Sequence, residues 1–302
     1  MTRAPVPSAR PPAADRDLVA GFALPFLKVE GLGNDFLLID LQRPAEGPRP
    51  PGLVADAAPD PAALERWLAE LQRRAPALCD RRTGVGADGL LLVAPPQHPD
   101  AAGTMLVINH DGSRPEMCGN GLRCVARYLA RDLPAPAAPF LVDTDAGPRR
   151  CQVDDEQVEV DMGPALALGA HDVAGRRFAA YSLGNPHAVA FVGADEDPEQ
   201  LARSLGPLVE RDPQFPARTN VEFARREQDG SLTLWVWERG CGITAACGTG
   251  ACATLAAAVA QGLAPADRPV QVQLPGGPLT IRLTADRVWM TGPARFVFAG
   301  QA

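Results

Sequence analysis

The stretch CGNGLRCVARYLARDL, residues 118–133, returns in altered form as CGTGACATLAAAVAQGL, residues 247–263. In each copy a Cys-Gly-polar-Gly loop leads into a segment whose apolar residues have helical spacing, and alternating β-branched segments follow. A repeat of this length and order indicates two halves of similar structure. We therefore predict a duplicated fold, with the junction between the halves near residues 161–169.

The rest of the chain reads as a series of strands with few helices. A helix is predicted from Asp60 as N-cap and Pro61 as first helical residue through about Arg74. Two apolar runs around the turn at residues 31–34 predict a hairpin-like or strand-loop-strand pattern from about residue 24 to residue 40. The further predicted strands lie at 90–93, 105–108, 140–143, 150–153, 158–162, 188–192, 221–224, 232–237, 270–274, 279–283 and 288–291. Because strands outnumber helices, a mixed α+β fold is favoured over a doubly wound sheet.

Composition excludes several classes of protein. The 302 residues are 46% hydrophobic and 22% charged, close to globular averages, with a net charge of -7 and no basic cluster for nucleic acid. No apolar run is long enough for a membrane helix or a signal peptide. We interpret residues 1–23 as a disordered leader and the Pro-rich residues 43–60 as a surface loop.

The seven cysteines favour a reducing compartment. An odd number cannot pair completely, so at least one thiol is free and the cytoplasm is the expected location. A zinc site is not expected, because the close cysteine pairs lack the usual ligand spacing and the four histidines are scattered. A pyridoxal phosphate enzyme is not expected either, since its lysine would have to be Lys28, the only lysine in the chain.

Cys118 and Cys247 each stand directly before a predicted helix. Free N–H groups and the positive end of the helix dipole favour an anion there, so we expect a lowered thiol pKa. Two thiols on opposite sides of one carbon are suited to inverting a stereocentre, because one removes a proton and the other returns one. Such a pair shares one proton, and its titrations are coupled.

The glycines of the repeat suit close approach by a ligand. Without a Cβ they let a carboxylate reach the backbone amides that follow each cysteine. Asn120 and Thr249 occupy the same place in the two loops and offer polar side chains. The four glycines are Gly119, Gly121, Gly248 and Gly250.

Several longer motifs resemble those of one known family. In order they are EGLGNDFLLID, RTGVGADGLLLV, NHDGS, MCGNGLRC, LGNPHAV, RTNVEF, WERGCGITAACGTGACA and LPGGPLTI. They are similar to the motifs of diaminopimelate epimerases from about residue 24 to residue 300. The resemblance implies inversion of one stereocentre, converting LL-2,6-diaminopimelate to its meso isomer for lysine and peptidoglycan precursors.

The resemblance also implies roles for individual residues. Cys118 and Cys247 would be the catalytic pair, and His187 and Glu238 would tune the thiol pKa values. Many relatives carry Gln where this chain has Gly89, so a side-chain contact is lost there, and Gly89 is the weakest of the candidates for substrate binding. The other implied substrate contacts are Asn34, Asn109, Gly119, Asn120, Asn185, Asn220, Glu238, Arg239, Gly248 and Thr249.

The same resemblance implies the architecture and the state of the enzyme. Two similar lobes are expected, 24–161 and 162–289, each a mixed barrel-like sheet around a central helix, with residues 290–302 returning to pack on the first lobe. The family needs no cofactor and no metal. A homodimer acting on a small molecule is expected, without nucleic acid or membrane partners.

Three other functions fit parts of the sequence. A proline or hydroxyproline racemase would also use paired cysteines, but Asn120 and the Glu238-Arg239 pair favour a substrate with a second amino acid end. A thiol hydrolase would use Cys247 with His187 and would not need Cys118. A thiol-redox or binding module would not need either cysteine to act as a base on a substrate. Without any function, Glu238 and Arg239 would form a surface ion pair at the end of a strand.

Overall fold

The computed structural model describes residues 24–42, 61–115, 117–135 and 138–302. The predicted leader, the Pro-rich segment 43–60 and the predicted N-cap Asp60 lie outside these residues. In the described part of the chain, no helix is long and apolar enough to cross a membrane.

Four helices form within these ranges: α1 (Pro61–Cys79), α2 (Gly119–Ala130), α3 (Pro198–Glu210) and α4 (Gly248–Ala260). The strands are β1 (Pro25–Gly31), β2 (Asn34–Asp40), β3 (Gly89–Ala94), β4 (Ala101–Asn109), β5 (Phe140–Asp143), β6 (Arg149–Asp154), β7 (Gln157–Gly163), β8 (Leu166–Val173), β9 (Arg176–Ser182), β10 (Pro186–Phe191), β11 (Asn220–Arg226), β12 (Leu232–Glu238), β13 (Gly242–Ile243), β14 (Val270–Leu274), β15 (Gly277–Leu283), β16 (Val288–Pro293) and β17 (Arg295–Gln301).

The two halves of the chain repeat the same order of strand pairing. In the first half β2 pairs parallel with β3, β3 antiparallel with β4, β4 parallel with β5, and β5, β6 and β7 follow antiparallel. In the second half β10, β11, β12, β14, β15 and β16 pair in that same sequence of senses. The predicted α+β class and the duplication are confirmed.

Strand pairing also connects the halves. β16 pairs with β15 on one side and with β7 on the other, both antiparallel. β17 then pairs antiparallel with β1, next to the β1–β2 pair. The chain thus returns at its end to the edge of the first half, and hydrogen bonds run without a break from one half to the other.

The helices occupy equivalent places in the two halves. Leu122 and Val125 of α2 and Leu255 of α4 are fully buried in one large core within the curved sheet. α1 covers a second core with Leu71, and α3 covers a third with Val209. Full burial of such a side chain contributes roughly 1.5–3 kcal/mol. The central position of α2 and α4 holds their N-termini, and hence both repeated loops, in fixed places.

Several parts of the secondary structure differ from the prediction, among them the two-residue strand β13, which was not predicted. α1 runs five residues beyond Arg74, because Pro76 is accommodated inside the helix. The strands β8 and β9 were not predicted: most of β8 is exposed and lacks an apolar alternation. α3 was also missed, although Asp197 caps it by accepting a hydrogen bond from the Glu199 amide and Pro198 opens it.

Candidate active site

The first repeated loop places Cys118 as the N-cap of α2. Its sulfur accepts a hydrogen bond from the backbone N–H of Gly121 at 3.4 Å. A Cβ on Gly121 would stand 3.4 Å from that sulfur and 2.6 Å from Leu91 Cδ2. Glycine at this position therefore leaves the space that the thiol occupies at the start of the helix.

The second loop places Cys247 at the same point of α4. Its sulfur lies 3.7 Å from the hydroxyl of Thr249, and the residue is buried. A Cβ on Gly250 would stand 3.1 Å from the sulfur and 2.9 Å from Glu222 Oε1. Gly250 thus has the same function as its counterpart in the first loop, and it brings a carboxylate close to the thiol.

The two loops meet at the centre of the molecule. Asn120 Nδ2 donates to the carbonyl of Ala246, next to Cys247, at 3.1 Å, and its Oδ1 lies 3.6 Å from where Gly248 would carry a Cβ. Met290 lies between the loops: its Cε is 3.0 Å from the Cβ position of Gly119, and its Sδ is 2.9 Å from that of Gly248. Both helix N-termini therefore converge on one region.

The pKa of both thiols lies above the ordinary value, against the expectation from the helix dipoles. Burial raises the pKa of Cys118 to about 11, although the Gly121 amide and the Arg123 charge act in the opposite direction. Burial also raises the pKa of Cys247 well above its usual range, and the carboxylates of Glu238 and Glu222 raise it further. Loss of water around the sulfur outweighs the effect of the helix N-terminus on the thiol pKa.

Glu238 lies next to the second thiol. Burial raises its pKa, while hydrogen bonds from the Thr244 hydroxyl and from Cys247 act to lower it. Its neighbour Arg239 is exposed, and its guanidinium donates to the carbonyl of Ala217 at 3.1 Å. The surface ion pair between Glu238 and Arg239 is therefore not the role of these two side chains.

Two asparagines hold the polar residues of the loops. Asn34 donates from Nδ2 to Asp88 Oδ2 at 2.5 Å and accepts on Oδ1 from Asn120 at 3.3 Å. Asn185 donates from Nδ2 to the Thr249 hydroxyl at 3.2 Å. Asn34 and Asn185 thus occupy matching positions in the two halves, each against the polar residue of its own loop.

Asn220 organises the wall of the second half. Its Nδ2 donates to the carbonyl of Pro186 at 2.9 Å, and its Oδ1 accepts from the Arg239 amide at 2.9 Å. The side chain is buried. It therefore fixes the turn that carries Arg239 against the strand that follows Asn185.

Two of the predicted residues lie on the strands that enter the site. The side chain of Asn109 donates to Ser113 Oγ at 2.9 Å, within the turn after β4. Gly89 is the register partner of Asn109, and a Cβ there would stand 2.5 Å from the Ile108 carbonyl oxygen. The close approach of β3 and β4 thus requires glycine at position 89.

Two buried charged residues near the loops had not been singled out in the sequence. Glu222 and Arg123 are both fully buried, and each has one polar atom, Oε2 and Nη2 respectively, without a partner among the described residues. Arg123 donates to the carbonyl of Pro293 at 3.1 Å and lies against Met290. Burial lowers the pKa of Arg123. A charged residue at an inward position of an apolar segment was the available signal for both.

Comparison with known proteins assigns the family. A profile described as diaminopimelate epimerase matches residues 59–168 and 179–297. The chain belongs to the diaminopimelate epimerase family. Proteins named diaminopimelate epimerase are 42% identical in Synechocystis, over 93% of this chain and 99% of that protein, and 43% identical in Desulfitobacterium hafniense, over 91% and 96%. The family expected from the motifs is confirmed.

Solved structures support the fold of this epimerase family member. A probable proline racemase from Agrobacterium radiobacter has a TM-score of 0.67 at 20% identity, covering 93% of both chains. A hydroxyproline epimerase from Agrobacterium vitis has the same score at 18% identity, covering 93% and 92%. At these identities the likeness concerns the fold alone.

The geometry bears on the remaining alternatives. Both ring nitrogens of His187 are hydrogen-bonded elsewhere, Nδ1 to Glu222 at 2.7 Å and Nε2 to Asn185 at 2.9 Å, so His187 is not placed as the base of a thiol hydrolase. In the described ranges, no group of three or more His, Cys, Asp or Glu side chains is arranged to hold a metal ion. Lys28 is ion-paired with Asp35 at 2.5 Å.

Proposed function

We propose that this protein interconverts LL- and meso-diaminopimelate by proton transfer between Cys118, Cys247 and one α-carbon. The observation that carries the proposal is the meeting of two Cys-Gly helix N-termini at one place in a duplicated fold. One thiolate removes the α-proton from one face, and the other thiol delivers a proton to the opposite face. The family of the chain supports the substrate.

The raised thiol pKa values suit this chemistry. A C–H next to a carboxylate is only weakly acidic, and a thiolate with a higher pKa is a stronger base towards it. The cost is a smaller fraction of thiolate at neutral pH, and the pair needs only one proton between the two sulfurs. The two helix N-termini would stabilise the carboxylate and the charge that develops on it during the reaction.

The polar residues around the loops divide between the two charged groups of an amino acid. The Oδ1 of Asn120 is buried, without a partner in the described residues, and lies beside Gly248, so it is suited to accept from an ammonium. The guanidinium of Arg239 is suited to a carboxylate. Asn34, Asn109, Asn185, Asn220, Gly119, Gly248 and Thr249 complete the substrate contacts that we propose, with Gly89 contributing backbone only.

We assign the tuning of the thiol pKa values to two residues, Glu238 and His187, which act on the thiols in different ways. Glu238 shares a hydrogen bond with Cys247, and its negative charge acts on both thiols. His187 reaches the second thiol indirectly, through Asn185 and Thr249 on one side and through Glu222 on the other. Because the two thiols carry out both proton transfers, the reaction needs no cofactor and no metal.

We further propose that residues 24–161 and 162–289 act as the two lobes of the enzyme, with residues 290–302 returning to the first lobe. The pairing of β17 with β1 supports this division. A homodimer in the cytoplasm is the proposed state, and the seven free cysteines of the chain support a reducing compartment. Diaminopimelate made by the enzyme would serve lysine and peptidoglycan precursor synthesis.

The test is a comparison of substrates with reduced protein and chiral chromatography. LL-diaminopimelate, L-proline and trans-4-hydroxy-L-proline are incubated separately, without added pyridoxal phosphate or metal. We expect meso-diaminopimelate to form and the two cyclic amino acids to keep their configuration. Inversion of proline or hydroxyproline with diaminopimelate unchanged would replace the substrate, and no inversion of any of the three would remove the proposal.

A further inference from the structure

Asn185 is held at both ends of its side-chain amide. Its Oδ1 lies 2.9 Å from His187 Nε2, and its Nδ2 donates to the Thr249 hydroxyl at 3.2 Å. An amide oxygen only accepts hydrogen bonds and an amide NH₂ only donates them. The orientation of Asn185 therefore decides whether this position can receive a carboxylate or an ammonium.

His187 faces an oxygen on each of its ring nitrogens. Nδ1 lies 2.7 Å from Glu222 Oε1, and Nε2 faces the amide oxygen of Asn185. The amide oxygen cannot donate a hydrogen bond, and a carboxylate oxygen does not either. With Asn185 in this orientation both ring nitrogens donate, which is the hydrogen-bonding pattern of an imidazolium.

Glu222 supplies the charge that this imidazolium requires. Both side chains are fully buried, where an uncompensated charge is expensive. The charged or titratable groups that face His187 from neighbouring elements are Glu222 on β11, Glu238 on β12, and Tyr181, its register partner on β9. Of these, Glu222 alone makes a hydrogen bond to the ring in the described structure.

We infer that Glu222 is a positioning residue that acts through His187 on Asn185. It keeps a proton on both ring nitrogens, so that His187 donates to Asn185 Oδ1 and turns the NH₂ of Asn185 towards Thr249 and the carboxylate of the substrate. That this ligand is the carboxylate of the substrate rests on the proposed function. Without the charge of Glu222, Nε2 would be bare and would accept, and Asn185 would turn over and present its oxygen.

In the first half of the molecule, the side-chain amide of Asn34 has the opposite orientation, with its oxygen towards the loop. Asp88 accepts directly from Asn34 Nδ2 at 2.5 Å, and Asn34 Oδ1 faces the amide of Asn120 at 3.3 Å. The duplicated halves thus point an amide oxygen at one loop and an amide nitrogen at the other. A substrate with an ammonium and a carboxylate on each stereocentre needs both kinds of partner, and this pairing of orientations supplies them.

The first test is spectroscopic and needs no substrate. The full-length protein is labelled with ¹⁵N-histidine and its ring nitrogens are observed at about pH 8, above the titration of an ordinary histidine. His187→Gln assigns the signal among the four histidines. We expect both nitrogens of His187 to carry protons in the wild type and Nε2 to be bare in Glu222→Gln. A bare ring nitrogen in the wild type would overturn the inference.

The second test is kinetic. Glu222→Gln keeps the size of the side chain and removes its charge, so we expect KM for diaminopimelate to rise by roughly tenfold to a hundredfold. The change in kcat should be smaller than that in KM, because both thiols remain in place and only the loss of the Glu222 charge near Cys247 acts on them. An unchanged KM in a variant whose histidine spectrum has changed would show that Asn185 does not depend on Glu222.

Asp143→Asn is the matched control. Asp143 is also a buried carboxylate bonded to a histidine, with its Oδ1 2.6 Å from His98 Nδ1, but it lies at the end of β5 on the outer side of the first half. Its KM and the signal of His187 should stay as in the wild type. If the wild type does not act on diaminopimelate, the proposed function fails, while the histidine spectrum still tests the role of Glu222.

Discussion

The two Cys-Gly loops have nearly the same sequence and different electrostatic surroundings. Cys118 is half-buried, receives the Gly121 amide, and has the positive charge of Arg123 one turn along its own helix. Cys247 is more deeply buried and has the carboxylates of Glu238 and Glu222 near it. The duplication sets the geometry of the thiols, and the residues that were not duplicated set their acidity.

Chemical equivalence therefore does not follow from the repeat. Burial and the negative charge of Glu238 raise the pKa of both thiols, the charge of Glu222 raises that of Cys247 further, and the Arg123 charge lowers that of Cys118. An epimerase works in both directions, so each thiol must serve as base and as acid.

The largest expected effect comes from removing either thiol. Cys118→Ser and Cys247→Ser should each lower kcat for epimerisation by about a thousandfold or more, since each removes one of two proton transfers. Chiral chromatography of the product measures this loss. Cys151→Ser, in β6 away from both loops, should keep near-normal turnover. Near-normal turnover in either loop variant would refute the two-base assignment.

The second largest effect is expected from a change of Arg239, an arginine that only the second half of the chain provides. Arg239→Lys should raise KM by roughly tenfold and leave kcat nearly unchanged, because a lysine lacks the planar fork that binds a carboxylate at two points. Steady-state kinetics with LL-diaminopimelate measures the change, and the exposed Arg226→Lys at the end of β11 is its control. An unchanged KM would exclude Arg239 from the site.

Alkylation of the ligand-free protein tests the difference in acidity directly. Iodoacetamide reacts with the thiolate, so below the pKa of each thiol its rate should rise about tenfold per pH unit. Cys118 should react at lower pH than Cys247, and its rate should level off near the pKa of about 11. Peptide mass spectrometry separates the sites, with the exposed Cys241 as the internal reference. Faster reaction at Cys247 would reverse the comparison.

The smallest effect should come from Glu238→Gln. Its negative charge raises the pKa of Cys247, so removing that charge lowers this pKa and brings the two thiols closer together. We expect a several-fold faster alkylation of Cys247 and a smaller change at Cys118. Gln214→Glu, the reverse exchange on the exposed turn after α3, is a control for a change of surface charge away from the thiols. Slower alkylation of Cys247 would contradict this effect of the Glu238 charge.

Much of the architecture could be predicted because local sequence patterns determine it. The repeat around Cys118 and Cys247 identified both central helices and the duplication, and the motifs identified the family. The elements β8, β9 and α3 were missed because packing rather than pattern determines them. An exposed strand such as β8 has no alternation to read, and α3 contains both Gly206 and Pro207.

The pKa values and hydrogen-bond partners of the site residues were harder to predict from the sequence than the residues themselves. The position of each cysteine before a helix was correct, but the direction of the pKa shift was wrong, because burial is a property of the whole fold. Glu222 was passed over as a strand residue in RTNVEF, since only the structure brings it to His187 and Gly250. Sequence patterns locate the groups, and tertiary packing decides their partners and charges.

In the proposed mechanism one thiolate removes the α-proton, and the other thiol delivers a different proton to the opposite face of the same carbon. The most direct test incubates reduced protein with LL-diaminopimelate in heavy water and follows α-deuterium by NMR and the meso isomer by chiral separation. The account predicts deuterium at one α-carbon, appearing together with inversion at that carbon. In the first turnovers, before the reverse reaction contributes, inversion without deuterium, or deuterium at both α-carbons of one meso molecule, would contradict it.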